Sequence, residues 1–285
     1  MRIYKVLPDL SKTRHMKIWH KALRSQWSAT DLDWDAPQRI RSPRLKDQLG
    51  RVLTPVLMGE QAALYSVSGL IPVLGQLSEV ESQFYLTTWA VDEARHTELF
   101  TLFYGRIDRE PLPIRRFPSG YLFQSQIVSK EPAEWLSGVL VSEVLATLVM
   151  EEFRRLDLDP VLSEIADGIL RDEARHLGFN HIYLEDRFSG LFGRGGEGGG
   201  EEGEAQSAHL HARLGQVLGM VRPMIEAVET ELTEMGVDTE KLQDDLARQA
   251  TWRLEKSIEA GRRVAAGQAA ASDPREAALI GAAEP

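Results

Sequence analysis

Hydrophobic residues recur every three or four positions along most of the chain, which is the spacing of helices that pack one face against a core. No stretch alternates apolar and polar residues as a half-buried strand does. The pattern therefore predicts an all-α protein. We expect helices at about 10–27, 43–74, 78–103, 132–156 and 160–188, then amphipathic helices at about 208–235 and 239–261.

Turn-forming residues separate these helices. Clustered aspartates before Pro37 end the first helix, and a proline-rich segment beginning at Asp108 follows the third. Asp159 followed by Pro160 is typical of a helix start, because aspartate caps free amide groups and proline fits the first turn. Pro55 lies inside the second helix, where we expect a kink.

These breaks predict four regions. A helical bundle with an N-terminal extension should occupy 1–188, and a flexible loop rich in glycine and glutamate should occupy 189–207. We expect C-terminal helices over 208–262 to pack on the bundle, followed by a disordered tail over 263–285.

The composition narrows the function classes. The net charge is −10, which would repel a phosphate backbone, so we expect no nucleic-acid partner. The chain has no cysteine, which excludes disulfides, thiolate metal sites and cysteine nucleophiles. Its N-terminus lacks the apolar stretch of a secretion signal, and the apolar segment 135–150 is short for a membrane span and contains Glu143. We expect a soluble cytoplasmic protein without a membrane partner.

The pentapeptide DEARH occurs twice in the chain. Its two copies contain the pairs Glu93 with His96 and Glu173 with His176. Residues three apart share one helix face, so a carboxylate and an imidazole can converge on one metal ion. One such pair is common on solvated helices, but two pairs match dimetal four-helix sites, in which each remaining helix gives one glutamate.

Helix geometry predicts where the two single glutamates should lie. Antiparallel neighbours face each other at positions equidistant from their connecting turn. The partner of Glu93 should therefore fall near position 60, where Glu60 stands, and the partner of Glu173 near position 143, where Glu143 stands. Both interrupt apolar segments, where an unpaired carboxylate is unfavourable and a divalent cation would remove that cost.

We therefore predict a site for two metal ions. Glu151 and Glu152 compete with Glu143, but they open a charged run near the helix end and are typical of a solvated terminus. Each residue taken singly is more often a solvated or hydrogen-bonded charge, whereas the joint spacing favours metal binding. The six predicted ligands are Glu60, Glu93, His96, Glu143, Glu173 and His176.

The aspartate and arginine residues of the pentapeptide are suited to orient the metal-binding histidines and to balance charge around them. Metal-bound histidines usually donate their second ring nitrogen to a carboxylate. We expect Asp92 and Asp172 to reach the histidine of the opposite copy, and Arg95 and Arg175 to compensate the carboxylate charge. The alternative is a set of surface ion pairs.

The paired motifs resemble the ferritin-like di-iron carboxylate superfamily over about residues 15–188. The oxygen-activating branch is the most similar: ribonucleotide reductase small subunits and their ligand-binding oxidase relatives, arylamine N-oxygenases, bacterial multicomponent monooxygenases and acyl-carrier-protein desaturases. The segment WSATDLDWD resembles the Trp/Asp-rich stretch before the bundle in reductase small subunits. The resemblance implies a ferritin-like four-helix bundle with additional N- and C-terminal helices.

The resemblance also implies a cofactor of two Fe ions, with Mn/Fe as an alternative, and O₂ as co-substrate. Glu93 and Glu173 are the natural bridging ligands. The two irons would be bound by Glu60, Glu93 and His96 and by Glu143, Glu173 and His176.

Two positions depart from the relatives. Phe100 stands where reductase small subunits carry their radical tyrosine, so a stable tyrosyl radical there is excluded. Ile169 stands where the arylamine N-oxygenases carry a third histidine. Thr147, one turn after Glu143, matches a threonine beside the oxygen site of several monooxygenases and is our catalytic candidate; bonding back to a backbone carbonyl is its alternative.

Five further residues share a helix face with the ligands. We expect them to line the substrate pocket, with ordinary core packing as the alternative for each. They are Leu64, Trp89, Phe100, Val139 and Met150.

The sequence thus predicts a di-iron oxygenase or oxidase that hydroxylates, N-oxygenates or desaturates a small organic substrate, free or carrier-bound. No flavin or nicotinamide motif occurs, so electrons should come from a separate ferredoxin or flavin reductase. We further expect a homodimer. A ferritin-like iron-storage protein, a reductase small subunit-like protein and a metal-free helical interaction protein remain as alternatives.

Overall fold

The amphipathic segments form helices in a computed structural model of the chain, which describes residues 7–127, 131–193 and 199–267. The described residues contain nine α-helices and no strand, which confirms the predicted all-α class. Short 3₁₀ turns lie at Ala29–Asp31 and Ile114–Arg116. The helices are α1 (Thr13–Arg24), α2 (Pro43–Gln76), α3 (Val80–Ile107), α4 (Pro118–Ile127), α5 (Pro132–Leu156), α6 (Pro160–Phe192), α7 (Gly199–Glu226), α8 (Glu229–Glu234) and α9 (Thr239–Ala265).

Two antiparallel pairs, α2 with α3 and α5 with α6, form the four-helix bundle. Their turns contain Ser78 and Asp157, both with positive φ (63° and 43°). Asp159 begins α6 by accepting a hydrogen bond from the backbone N–H of Val161 at 3.1 Å. Its carboxylate also accepts a bond from Nε of Arg106 at 2.9 Å, which ties this turn to the end of α3.

The flanking helices cover the bundle. Helix α1 packs on α3 and α6, and α7 and α9 pack against α5 and α6. Both α2 and α5 are long and apolar enough to cross a membrane by length and composition; their most apolar windows are 39% and 67% buried. This is weak evidence for a span, because core helices of soluble proteins pass the same test, and most of the α5 window is buried inside the structure.

The structure corrects three sequence expectations. The proline-rich connection contains a further helix, α4. The loop predicted over 189–207 is largely helical: α6 runs to Phe192 and α7 begins at Gly199, while 194–198 lie outside the described residues. Helix α9 continues to Ala265, and the rest of the predicted tail, 268–285, also lies outside them.

Local interactions explain why a glycine- and glutamate-rich segment is helical. Glu201 and Glu202 lie in the first turn of α7, where acidic side chains interact favourably with the helix dipole. Gly203 allows the close approach of α6, because a Cβ atom there would lie 2.3 Å from the Phe192 ring. Glu204 forms an ion pair with Arg262 at 2.6 Å. Composition alone did not reveal these contacts.

Candidate metal centre

The bundle brings all six predicted ligands together in its interior. They form two groups whose candidate ligand atoms lie within 4.8 Å of one another. Glu93 and Glu173 belong to both groups, which is the geometry expected of bridging carboxylates. All six side chains are buried. The groups are Glu60, Glu93, His96 and Glu173, and Glu93, Glu143, Glu173 and His176.

The two histidines present the same ring nitrogen to the centre. Nδ1 of His96 lies 3.2 Å from Oε2 of Glu60, and Nδ1 of His176 lies 3.0 Å from Oε2 of Glu143. Nδ1 of His176 is also 3.5 Å from Oε2 of Glu173. Each half of the site therefore has one imidazole nitrogen and carboxylate oxygens facing a common point.

Burial makes this cluster unfavourable as a set of free charges. It raises the pKa of Glu173, and the nearby carboxylate of Glu143 raises it further. Burial also raises the pKa of Glu93. Burial acts to lower the pKa of His96, but the carboxylates around it, above all Glu60, raise that pKa overall. The carboxylates thus require either protons or cations as neighbours.

The donor set fits two divalent cations. Oε2 of Glu93 and Oε2 of Glu173 are buried and form no hydrogen bond with any described residue. Such unsatisfied buried oxygens are unfavourable unless something else binds them. Four carboxylates and two neutral imidazoles would balance the charge of two divalent ions, and this oxygen-rich set with nitrogen suits iron or manganese.

The supporting aspartates cross between the two copies of the pentapeptide. Asp172 lies 3.1 Å from Nε2 of His96, and Asp92 lies 3.2 Å from Nε2 of His176. Each aspartate also accepts a hydrogen bond from an arginine of the other copy: Arg95 to Asp172 at 2.8 Å and Arg175 to Asp92 at 3.0 Å. The positive charges of the two arginines thus compensate the negative charges of the supporting aspartates, Asp92 and Asp172.

This network keeps the supporting carboxylates ionised. Burial acts to raise the pKa of Asp172, but the hydrogen bond from His96 and the nearby arginines hold it far below its usual range. The pKa of Asp92 is lowered in the same way, against burial, by His176. An ionised aspartate accepts the proton on Nε2 and leaves Nδ1 unprotonated towards the centre, as a metal ligand must be.

Two residues of the segment before the bundle join this network, and sequence reasoning assigned them no role. Nε1 of Trp27 donates to Asp172 at 2.9 Å, and the side-chain amide of Gln26 donates to Asp92 at 3.1 Å. The Arg95 guanidinium lies 4.9 Å from the Trp27 ring centroid. Gly168 makes room for this indole, because a Cβ atom there would lie 2.3 Å from it. The segment WSATDLDWD, which begins at Trp27, was the available signal for the indole but not for Gln26.

Trp89 contacts both halves of the centre. Its Nε1 donates to Oε1 of Glu93 at 2.7 Å, and its ring stacks on His176 with centroids 4.4 Å apart. Trp89 therefore fixes the orientation of a shared carboxylate and of an imidazole at the same time. The helix face predicted a pocket residue; in the structure the indole contacts the predicted ligands Glu93 and His176.

An apolar cavity of about 110 Å³ opens beside the centre. Small residues, including Gly59, Ala63 and Ala146, create space between the helices. Ser142 is a polar lining residue that sequence reasoning missed; its hydroxyl donates to the carbonyl of Val139 at 2.8 Å. The wall consists of Val52, Pro55, Val56, Gly59, Glu60, Ala63, Glu93, Phe123, Ser142, Glu143, Leu145, Ala146, Val149, Glu173, Met224, Ile225, Val228, Leu232 and Leu242.

The predicted pocket residues lie outside the lining of this cavity, and their assignment stays a prediction. Trp89, Phe100, Val139 and Met150 are fully buried and fill the bundle core, and Leu64 is half-buried. None of the five lines the cavity.

Thr147 also lies away from the cavity wall. Its hydroxyl donates to the backbone carbonyl of Glu143 at 2.8 Å, which is the alternative noted for a helix threonine. Its neighbour Ala146 lines the cavity instead. The assignment of Thr147 as a catalytic residue stays a prediction, without a geometric argument in its favour.

No known family profile matches the chain, and no curated protein matches it in sequence. Solved structures do match in fold. An R2-like ligand-binding oxidase with an aerobically reconstituted metal cofactor after photoconversion has a TM-score of 0.70 at 17% identity, covering 90% of this chain and 99% of that chain. Another, with an aerobically reconstituted Mn/Fe cofactor after a long soak, has a TM-score of 0.69 at 17% identity, covering 90% and 98%.

A mutant R2-like ligand-binding oxidase with an aerobically reconstituted Fe/Fe cofactor matches equally well, with a TM-score of 0.70 at 17% identity and coverage of 90% and 99%. At this identity the likeness establishes the fold. It confirms the ferritin-like bundle with additional helices that the paired motifs predicted.

Proposed function

We propose that this chain, which has the fold of R2-like ligand-binding oxidases, is an O₂-dependent dimetal oxidase or oxygenase acting on a small organic substrate. One observation carries the proposal: the carboxylates of Glu60, Glu93, Glu143 and Glu173 form part of the wall of an apolar cavity. A storage site needs the carboxylates alone, whereas a substrate-oxidising site also needs a dry space beside them.

The two ligand groups would hold two Fe ions or an Mn/Fe pair. The solved oxidases of the same fold carry Mn/Fe or Fe/Fe cofactors, which supports this choice. When bound, such a pair supplies the redox chemistry that reduces O₂ and oxidises an organic molecule. Glu93 and Glu173 would bridge the metals because only they belong to both groups.

The chain's own residues would prepare the site for this chemistry. Asp92 and Asp172 accept the Nε2 protons of the histidines and keep Nδ1 available as a ligand. The apolar wall excludes water from the substrate side of the carboxylates. The hydroxyl of Ser142 is 3.4 Å from Oε1 of Glu143, so it would donate to that carboxylate from the cavity side only by turning away from the Val139 carbonyl.

The cavity lining also indicates the kind of substrate. Among the described residues that line it, the charged ones are all glutamates and none is a lysine or an arginine. An acidic group would therefore find no protein cation there, so the part of the substrate inside the cavity should be apolar. The substrate could be free or carrier-bound. We propose a cytoplasmic protein that receives electrons from a separate ferredoxin or flavin reductase.

Metal analysis of ligand variants tests the site. Wild-type protein loaded anaerobically with Fe²⁺ and desalted should retain two ions per chain by mass spectrometry. Glu143→Ala and His176→Ala should each lose at least one. Glu151→Ala removes an exposed glutamate from the same helix and should retain both. Undiminished iron in both ligand variants would exclude the assigned site.

A variant that fills the cavity distinguishes a substrate-oxidising enzyme from an iron-storage protein. Ala146→Leu should leave the iron content unchanged but reduce oxidation of an apolar substrate, measured as product formed per O₂ consumed with a chemical reductant. Thr147→Val, at the next position, should keep wild-type activity if Thr147 only bonds to the helix backbone. Uptake of many irons per chain, with no organic product in any variant, would instead establish storage.

A further inference from the structure

The segment that leads into α4 is basic and apolar, although the chain as a whole is acidic. None of the twenty residues between Glu110 and Glu131 is acidic, whereas 43 acidic residues in 285 would place about three in a segment of this length. Arg115 and Arg116 give the segment a positive charge. Neither guanidinium forms a hydrogen bond or an ion pair with another described residue. Two uncompensated cations are therefore concentrated at one place on an acidic protein.

Large apolar side chains are exposed beside these arginines. Ile114 is 58% exposed and opens the 3₁₀ turn that packs against α4. Tyr121 and Leu122 of α4 are 62% and 57% exposed, while Phe123 is buried against the bundle. Tyr121 and Leu122 therefore lie on the side of α4 that faces away from the bundle. We call the following five residues the α4 patch: Ile114, Arg115, Arg116, Tyr121 and Leu122.

We infer that the α4 patch binds the surface of an anionic lipid membrane. Segments that lie on a bilayer insert large apolar side chains at the boundary of the acyl chains and present arginine or lysine to anionic head groups. Tyrosine is favoured at the same depth, because its ring is apolar and its hydroxyl is polar. The α4 patch supplies all three kinds of side chain on one exposed surface.

The net charge of −10 does not prevent this contact. Interactions between exposed charges are screened beyond about 8 Å at physiological ionic strength, so the charges nearest the lipid decide the sign of the interaction. Each arginine next to an anionic membrane strengthens binding roughly fivefold. Two arginines and three apolar side chains should therefore give reversible binding that weakens as salt is added.

The position of the α4 patch favours a lipid surface over an acidic protein as the partner. Gly120 and Phe123 of α4 line a small pocket, and this pocket shares Phe123 and Met224 with the wall of the apolar cavity. A membrane on the α4 patch places acyl chains close to this pocket, so an apolar substrate would reach it without crossing water. This argument from substrate delivery rests on the proposed function, whereas the membrane contact itself does not.

A peripheral contact revises one expectation from the sequence. The expectation that the protein has no membrane partner rested on the search for a secretion signal and a spanning segment. Binding to a membrane surface requires neither of them, only exposed apolar and basic side chains. It is also compatible with a cytoplasmic protein, because the cytoplasmic leaflet carries anionic lipids.

Co-sedimentation of the full-length protein with vesicles tests the inference. The wild type should bind vesicles of phosphatidylcholine and phosphatidylserine and should bind pure phosphatidylcholine much more weakly. Arg115→Gln combined with Arg116→Gln should reduce the partition coefficient about 30-fold, since each arginine contributes roughly fivefold. Lys17→Gln combined with Arg24→Gln removes the same charge from exposed positions of α1 and should reduce it about twofold at most.

A fluorescent label on the α4 patch tests the apolar part of the contact. Because the chain has no cysteine, Leu122→Cys carries the only thiol. An environment-sensitive fluorophore on this thiol should shift its emission to shorter wavelength when vesicles containing phosphatidylserine are added. The same label on Leu23→Cys, at a leucine of α1 that is 49% exposed, should keep its emission unchanged. Far-UV circular dichroism confirms that each variant is folded.

Several outcomes would overturn the inference. A wild type that stays in the supernatant with phosphatidylserine vesicles would do so, and so would vesicle binding without an emission shift at Leu122→Cys. Equal loss of binding in the two charge variants would show a general charge effect. Retention on immobilised polyglutamate without vesicle binding would identify an acidic protein partner instead. Iron content and substrate oxidation are measured separately, so failure of the proposed function would leave the vesicle result unchanged.

Discussion

Oδ2 of Asp172 lies 3.1 Å from Nε2 of His96, a residue of the other copy of the pentapeptide. The converse contact joins Asp92 to His176 at 3.2 Å. The two copies are therefore interlocked halves of one site: each aspartate orients the histidine that the other copy contributes. This explains why the aspartate recurs with the glutamate and the histidine.

Replacing Asp172 by asparagine should weaken metal binding without unfolding the protein. Asparagine keeps the size of the side chain but no longer holds a negative charge against Nε2 of His96. Loss of such a supporting carboxylate typically reduces metal affinity about 10- to 100-fold. Competition with a chromophoric chelator measures the affinity. Asp167→Asn, at an exposed position of the same helix, is the matched control, and an equal loss in both variants would contradict the prediction.

Trp89→Phe should affect both the metal centre and the stability. It keeps an aromatic ring beside His176 but removes the hydrogen bond to Glu93. Losing a buried hydrogen bond to a charged group should lower the free energy of unfolding by about 1.5–3 kcal/mol. Urea denaturation and metal titration measure the two effects.

A second buried indole provides the control for Trp89. Nε1 of Trp135 donates to Ser66 at 3.0 Å and to none of the predicted ligands, while its ring packs edge-on against Trp89 with centroids 5.7 Å apart. Trp135→Phe should therefore reduce stability but leave metal affinity unchanged. If both tryptophan variants bind metal like the wild type, Trp89 has a packing role only.

Gly168→Ala should displace Trp27 and loosen its hydrogen bond to Asp172. A Cβ atom at this position would lie 2.3 Å from the indole, so the ring or the helix must move. Overpacking of this kind usually lowers the free energy of unfolding by about 1–3 kcal/mol. Gly190→Ala, in open space on the same helix, should instead be neutral or stabilising. Thermal denaturation and indole fluorescence distinguish the two variants.

His15 should make the protein less stable in mild acid. Burial lowers the pKa of His15 from 6.5 to about 4, and Lys12 and Arg14 act in the same direction. Below pH 6.5 the unfolded chain binds a proton that the folded chain does not bind until about pH 4. The contribution of neutral His15 to the free energy of unfolding is therefore fully present above pH 6.5 and is lost as the pH falls towards 4. The loss amounts to about 3 kcal/mol at 1.36 kcal/mol per pKa unit.

Urea titrations between pH 7 and pH 4 check the contribution of His15. His15→Leu removes the titrating group, so the free energy of unfolding should fall less steeply with acid in the variant than in the wild type. The comparison of slopes, not of absolute stabilities, isolates this group, because Asp186 at 3.6 Å and the nearby Lys12 and Arg14 are present in both proteins. Parallel curves would contradict the prediction.

The sequence by itself determined the helices of the bundle and the six side chains that meet inside it. Helical periodicity is a local property, and the turns at Ser78 and Asp157 fix the register of each antiparallel pair. Glu60 and Glu143 could therefore be found from the repeat and the turn positions alone. The crossing of Asp92 and Asp172 was predictable for the same reason.

Only the tertiary structure decided what surrounds the centre. Whether a residue on the ligand face fills the core or borders a cavity depends on residues from distant helices, such as Phe123 and Met224, which no local pattern relates to the motifs. The roles of Trp89 and Trp27 likewise depend on where α6 lies. Spacing along one helix specifies a direction, but packing between helices decides what a side chain meets there.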